Sequence, residues 1–363
     1  MIVSRAVERR PTALVIGGGI VGLCCAHALA RRFDVTLVDA GGASNASTVA
    51  AGMLAPGMEA ALDPLSPPYP LLSAALALWP AFAAAIGASD ALHACGSLWL
   101  GSEAPAVSDR LAAVGVEVRR VGPDETRALQ PGLAKQADDG VFTPDDTRVD
   151  VAAVLARLAA ALTASGVRRV VARMERWEDG RARLADGDTI DADRVVIVAG
   201  YAARRLADAA PELASLRPIK GQLIRYALGS APYDGAMLRT RDGYLAPSGE
   251  GVVVGASMEA GRDDLAIDPD VVASFARLGE RLCPTLAGAS WRPSVGVRAA
   301  TSDGLPLVGP SSGGALLATG FRRNGWLLAP LAAEMIAAWA TDEDPGVWTE
   351  ALRPGRTLRP GRS

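Results

Sequence analysis

Residues 12–39 read TALVIGGGIVGLCCAHALARRFDVTLVD, and this stretch decides the architecture. Residues 12–18 are a run of β-formers ending in glycine, 19–32 are a helix-forming run of Ala, Leu and small residues, and Val35 to Val38 are a second short apolar strand closed by Asp39. The pattern predicts a βαβ unit. Within it, Gly17-Gly18-Gly19-Ile20-Val21-Gly22 fits GxGxxG directly after a strand and at the opening of a helix. Gly17 permits the tight turn, Gly19 lets the backbone approach a pyrophosphate at the helix N-terminus, and Gly22 allows close packing of helix on sheet. Asp39 follows about 20 residues later, where an acidic side chain accepts the ribose hydroxyls of a dinucleotide. A glycine turn beside an unrelated surface Asp would not require that joint spacing.

Working outward, 191–200 (DADRVVIVAG) and 315–320 (ALLATG) read as further buried strands ending in glycine, returning to the same layer after long excursions. Between them, 219–228, 243–248 and 251–257 alternate like strands and are punctuated by turn residues, which predicts an antiparallel meander in a second layer facing a substrate. Helical patterns fill 150–164, 269–282 and 326–341. The two layers are therefore interleaved along the chain. The uncharged stretch 64–89 is long enough to span a bilayer, but its five prolines favour a proline-rich loop followed by an Ala/Leu helix from about Ser73. The closing RPGRTLRPGRS reads as a basic, frayed tail.

Composition narrows the function classes. The 363 residues carry 37 Lys plus Arg against 40 Asp plus Glu, a net charge of −3 that gives no electrostatic reason to expect nucleic acid or an anionic membrane as partner. The four cysteines (Cys24, Cys25, Cys95, Cys283) form no CxxC pair, so zinc and disulfide frameworks find little support. Only two histidines occur, His27 and His93; His27 reads as a packing residue and His93 has no positional argument for chemistry. Ordinary acid–base catalysis is thus poorly equipped, and a cofactor is the expected carrier of the chemistry.

GGGIVGLCCAHALA, VDAGGASNASTVAAGMLAP, VVIVAGYAARRL, RPIKGQL, GYLAPSGEGVVVGASM, VGVRAATSDGLPLVGP and LLATGFRRNGWLLAP occur in one order across nearly the whole chain. Together they resemble the D-amino acid oxidase family of FAD flavoproteins, and within it the glycine oxidases of thiamine biosynthesis. The resemblance implies an α/β fold, with a glutathione-reductase-type FAD domain (Rossmann-like) interleaved with an α+β substrate domain carrying a mixed, largely antiparallel sheet. The expected partition is 12–80, 146–216 and 299–350 for the FAD domain, 81–145 and 217–298 for the substrate domain, and 351–363 for a flexible tail. It implies FAD held noncovalently by Gly17, Gly19, Ile20, Val21 and Gly22 at the pyrophosphate, by Asp39 and Ala40 at the adenosine ribose, and by Ala51, Gly52 and Met53 at the isoalloxazine. Ala46, Ser47, Gly200 and Gly320 belong to the implied set, as does the loop Phe321, Arg322, Arg323, Asn324, Gly325, Trp326 and Leu327 around the ring.

The residues of that loop point the same way. They precede a helix whose N-terminus can face the pyrimidine edge of a flavin, where negative charge appears on reduction, and Arg322 and Arg323 add positive potential. The alternative is a surface turn with solvated arginines, which suits Arg322 better than Arg323. Flavin oxidation of an amine by hydride loss to N5 needs orientation more than proton transfer, and an arginine suits that task because its planar fork pairs with both oxygens of a carboxylate. By resemblance the carboxylate arginine is Arg298, Tyr244 donates to the same carboxylate, Met258 lines the side-chain pocket and Arg323 is a second arginine at the substrate. A surface ion pair, a packing tyrosine and a plain core methionine are the competing readings for Arg298, Tyr244 and Met258. The sequence departs from the family where Ala299 replaces a usual proline, Phe321 a common His and Ala202 a frequent Trp. The expectation is an FAD-dependent oxidase that converts glycine or another small amino acid to its imine, with O2 reduced to H2O2. The expected setting is cytoplasmic, homo-oligomeric, without a membrane span or nucleic acid. A D-amino acid or sarcosine oxidase or dehydrogenase, or the oxidase module of a tRNA-modifying assembly, are the alternatives.

Overall fold

The structure is a computed structural model that describes residues 9–42, 45–134, 139–178, 181–228 and 235–358. Its first layer is a six-stranded sheet in the order Leu307–Pro310, Leu316–Thr319, Arg194–Ile197, Thr12–Ile16, Asp34–Asp39, Arg168–Val171. All pairs are parallel except the first. Thr12–Ile16 is central, and its apolar residues are buried on both faces, as a parallel strand between covering layers requires. Helices Ile20–Leu29 and Gly325–Ala340 pack together on one face of this sheet. The first is apolar apart from His27 and buried along most of its length, so Cys24 and Cys25 lie in the core and burial pushes both thiols up.

The second layer is a mixed sheet built around Arg217–Ala227, which pairs antiparallel with Gly251–Gly255 and with Trp291–Ala300. Gly243–Ser248, Met237–Thr240, Ser97–Leu100, Gly140–Thr143 and Arg119–Val121 extend it, and only Met237–Thr240 with Ser97–Leu100 is parallel. The period of two sorts its faces. Ile224, Tyr226, Leu245, Val252 and Val254 pack with Phe275 and Leu278 of helix Pro269–Leu282. Leu223, Tyr244, Ala246 and Val253 point the other way and pack with Ala51, Ala55 and Met58. The helical patterns at 150–164, 269–282 and 326–341 appear as Val151–Ala164, Pro269–Leu282 and Gly325–Ala340.

Two expectations need correction. The Ala/Leu helix begins at Tyr69 and not near Ser73, running Tyr69–Ala85, because Pro70 sits in the first turn, where its missing N–H costs no hydrogen bond. Its Trp79 is fully buried, stacks on Trp326 at 6.1 Å and donates to the Leu327 carbonyl at 3.1 Å. The closing basic segment is docked as far as the structure describes it. Arg356 makes a two-pronged ion pair with Asp303 (2.9 and 3.0 Å) and donates to the Leu305 and Pro306 carbonyls. Residues 359–363 of the expected tail lie outside the described residues.

Asp146 supports the short helix Pro56–Leu62 from below, accepting from the Gly57 amide at 3.3 Å and the Thr143 hydroxyl at 2.9 Å. Burial pushes its carboxyl up from 3.8 to about 6, against the lowering effect of its hydrogen bonds and Arg239. The native protein therefore holds this proton more tightly than the unfolded chain between about pH 4 and 6. Stability should fall by about 3 kcal/mol as pH rises through that window and level off above it, at about 1.4 kcal/mol per unit. Denaturant melts of the wild type and Asp146→Asn across pH 4.5–7.5 check this; a pH-independent difference between the two would contradict it.

Candidate active site

A cavity of about 360 Å³ runs from the N-terminus of helix Ile20–Leu29, along residues 46–53, to the inner face of the mixed sheet and the first turn of helix Gly325–Ala340. Its first wall is pinned from three sides. The Asn45 carboxamide accepts from the Ser47 and Thr48 amides and starts the short helix Ala46–Val49. Arg225, reaching from the mixed sheet, donates to the Val49 and Ala50 carbonyls at 2.8 and 2.9 Å and closes its other end. The Trp326 indole donates to the Ser47 carbonyl at 3.0 Å, and the Ser47 hydroxyl accepts from the Ile20 amide at 2.9 Å.

The end of this cavity fits a dinucleotide. Gly17 has φ +119°, and a β-carbon there would stand 2.6 Å from the Val198 carbonyl oxygen. A β-carbon on Gly22 would overlap the Gly17 carbonyl, so helix and turn approach as only glycine allows. Gly19 at the N-cap has no side chain to offer this helix, and of the first-turn amides that face an anionic group the Ile20 amide is taken by the Ser47 hydroxyl. Asp39 turns its carboxylate back onto this turn, accepting from the Gly18 and Gly41 amides at 2.6 and 2.8 Å.

At the other end the walls carry charge. Glu59 is 6 % exposed, and its Oε1 accepts from Arg239 and from Arg323, each at 3.0 Å. Asp63 pairs with Arg322 and stands 3.9 Å from Arg323. Burial works to raise the Glu59 carboxyl, but Arg323, Arg239 and Arg322 together hold it below its ordinary value, so it is ionised at neutral pH. Arg322 holds a left-handed backbone, φ +53°, with its amide donating to the Ala299 carbonyl at 2.7 Å. A non-glycine residue in that region costs about 1 kcal/mol or more and persists where surrounding contacts dictate it. The reading of Arg322 as a solvated surface arginine is therefore corrected: a buried carboxylate claims it.

Arg298 differs from the other three arginines. It is half-buried and donates to the Ser257 carbonyl at 3.2 Å and lies 3.3 Å from the Met258 sulfur. No carboxylate among the described residues lies within ion-pair distance of it. Gly221, across the strand pair, makes room for it, because a β-carbon there would overlap the guanidinium. Tyr244, 8 % exposed, stands on the same face of the sheet. Burial raises its hydroxyl pKa, opposed by Arg298, Arg323, Arg239 and Arg225, and it remains a protonated donor at neutral pH.

The model of the DAO family, described as FAD dependent oxidoreductase, matches residues 12–339. The chain belongs to this family. It is similar to the glycine oxidase of Geobacillus kaustophilus, at 29 % identity over 352 residues covering 91 % of this chain and 93 % of that protein. The solved structure of that enzyme superposes with a TM-score of 0.83 at 25 % identity, covering 97 % of this chain and all of the other. An iminodiacetate oxidase from Chelativorans sp. BNC1 also gives 0.83, at 26 % identity, over 94 % and 98 % of the two chains. The bifunctional tRNA 5-methylaminomethyl-2-thiouridine biosynthesis protein MnmC of Caulobacter vibrioides is 32 % identical over 357 residues; the match takes 93 % of this chain but only 56 % of that longer protein.

The structure brings Ile20, Ala46, Ser47, Ala51, Gly52, Met53, Tyr244, Met258, Arg298, Arg322, Arg323, Asn324, Gly325 and Trp326 into the lining of one cavity. Gly17, Gly19, Val21, Gly22, Asp39 and Ala40 lie in or beside the glycine turn at its end. Gly320, Phe321 and Leu327 are not among its lining residues, and Gly200, whose carbonyl accepts from Thr319, is tied to strand Leu316–Thr319. Sequence reasoning missed Glu59, Arg239, Trp99 and Gly221. Glu59 had a signal: it is the only charged residue between Asp39 and Asp63. Gly221→Ala should push Arg298 off its seat and raise the substrate KM about tenfold or more, the equivalent of about 1.4 kcal/mol, with a melting temperature close to wild type. Steady-state kinetics with thermal melts checks this; an unchanged KM would contradict the seating role.

Proposed function

We propose that this protein oxidises glycine or a similarly small amino acid to its imine, which water hydrolyses to the 2-oxo acid and ammonia, with O2 reduced to H2O2. The observation that carries the reading is Arg298, an arginine on the cavity wall with no carboxylate partner among the described residues, beside the protonated hydroxyl of Tyr244. A cationic fork and a neutral donor on one face are the complement of a carboxylate.

FAD, when bound along the glycine turn and residues 46–53, supplies the two-electron acceptor. The chain's own residues have four tasks. Gly17, Gly19 and Gly22 admit the dinucleotide backbone, and Asp39 and Ala40 receive its ribose. Arg298 fixes the substrate carboxylate, and Tyr244 donates to the same group, so the amine-bearing carbon is presented in one orientation. Met258, 38 % exposed beside Arg298, bounds the side-chain space. Arg322 and Arg323, with the first turn of helix Gly325–Ala340, put positive potential at the cavity where negative charge accumulates on reduction. The ammonium of the free amino acid must give up one proton before the hydride leaves; that proton goes to solvent water, so no proton-transferring histidine is needed.

The likeness to the Geobacillus glycine oxidase over nearly the full length of both chains supports the choice of substrate. A D-amino acid or sarcosine would use the same clamp. The identity of 32 % to part of the longer MnmC supports a second reading, in which this chain is the oxidase module of a tRNA-modifying assembly and its amine is carried on RNA. The net charge of −3 speaks against RNA as that carrier.

Anaerobic mixing of the holoenzyme with glycine, sarcosine, D-alanine and D-proline, followed at the flavin band, tests the proposal. Bleaching is expected with at least one of them, and peroxide should form on admitting air. A flavin that none of the four reduces would contradict it.

A further inference from the structure

The mixed sheet carries a second group of unused donors on the same cavity face. Arg239 lies directly opposite Tyr244 on one side and Trp99 on the other, in the registers of Gly243–Ser248 and Ser97–Leu100. Residues paired in this way share a face and are immediate neighbours. All three line the cavity. Arg239 is 4 % exposed and Trp99 6 %. One nitrogen of Arg239, Nη1, is taken by Glu59. Its Nε and Nη2, and the Nε1 of Trp99, are buried without a hydrogen-bond partner. An arginine and an indole can only donate, so adjacent unsatisfied donors of these two kinds call for an acceptor. Nε and Nη2 form one edge of the guanidinium, an edge that receives both oxygens of a carboxylate in parallel. Buried donors left in this state are costly unless something fills them.

From the geometry we infer that Arg239 and Trp99 form a second carboxylate subsite, and that the preferred substrate is an amino acid bearing two carboxylates. The inference rests on the reading of Arg298 as the first carboxylate site. Arg298 enters from the strand Trp291–Ala300 and Arg239 from Met237–Thr240, with three strands between them. At about 4.8 Å per strand the backbones stand about 19 Å apart, and the two long side chains reach inward from opposite ends of that span. Tyr244 stands between them, which is the arrangement for a short molecule anionic at both ends. Glu59 holds Arg239 in place without consuming its free edge. The second carboxylate reaches this subsite from the amine nitrogen, as in iminodiacetate, or from the carbon chain, as in D-aspartate and D-glutamate.

Binding to the holoenzyme tests the subsite separately from turnover. Titration calorimetry with malonate, succinate and glutarate, against acetate and propionate, should show at least one dicarboxylate binding about tenfold or more tighter than either monocarboxylate. Trp99→Phe, which removes one N–H and keeps the shape, and Arg239→Met should each shrink that ratio severalfold, and Arg239→Lys should restore part of it. Equal binding of mono- and dicarboxylates by the wild type, or an unchanged ratio in both Trp99→Phe and Arg239→Met, would overturn the subsite. Flavin reduction by iminodiacetate, D-aspartate and D-glutamate, against glycine, then separates the two sources; a larger kcat/KM for glycine than for all three would overturn the substrate preference while leaving the amino acid oxidase reading intact. Tight dicarboxylate binding with no flavin reduction by any amine would sink that oxidase reading, and with it the proposed substrate preference.

Discussion

The carboxylate of Glu59 is the constraint around which the cavity is arranged. It comes from helix Pro56–Leu62 and binds Arg239 of the mixed sheet and Arg323 of the loop that leads into helix Gly325–Ala340, so one buried charge ties together three separate parts of the chain. Asp63, one turn further on, takes Arg322 and approaches Arg323. Removing one member of such a buried pair costs about 3–5 kcal/mol, because the other is left charged and uncompensated. The same pairing makes Arg298 conspicuous. With three arginines held by two carboxylates, Arg298 has no carboxylate within ion-pair distance among the described residues.

Space around these charges is made by glycine. Gly17 and Gly22 let the first helix sit against the turn that precedes it, and Gly52, at φ +78°, lets the chain pass the Val149 carbonyl where a β-carbon would collide. Gly221 acts on a side chain instead of a backbone, clearing the seat of Arg298. Gly255, the cross-strand partner of Tyr244, likewise leaves room for the Leu223 side chain, which a β-carbon there would meet at 2.7 Å. The glycine turn at one end of the cavity and the seat of Arg298 at the other thus rely on the same device, a missing β-carbon at a close approach.

The βαβ unit was legible because hydrophobic run, glycine spacing and Asp39 all lie within 28 consecutive residues. The strands at Arg194–Ile197 and Leu316–Thr319 were legible too, as apolar runs ending near glycine, and their return to the first sheet makes the two layers interleaved. Arg298 and Tyr244 could be named from the motifs around them. The ion pairs could not, because Glu59 meets Arg239 across 180 residues and Arg323 across 264, and no local pattern records such a meeting. Nothing in the sequence around Arg239 marks it as buried; its place on the cavity face follows from its register opposite Tyr244. Likewise the closing arginines looked free until Asp303 was seen beside Arg356. Sequence discloses which groups the chain owns and where its strands alternate; which charge meets which depends on tertiary packing.

The account stands most directly on Arg298 as the receiver of a substrate carboxylate. Glycolate, which has the size and carboxylate of glycine but no amine, is the simplest ligand for that site. Titrated into the holoenzyme while the flavin band is recorded, it should shift the band saturably in the wild type. In Arg298→Ala, with FAD still bound, its affinity should fall about a hundredfold, the equivalent of about 3 kcal/mol. Equal affinity in the two proteins would contradict the account.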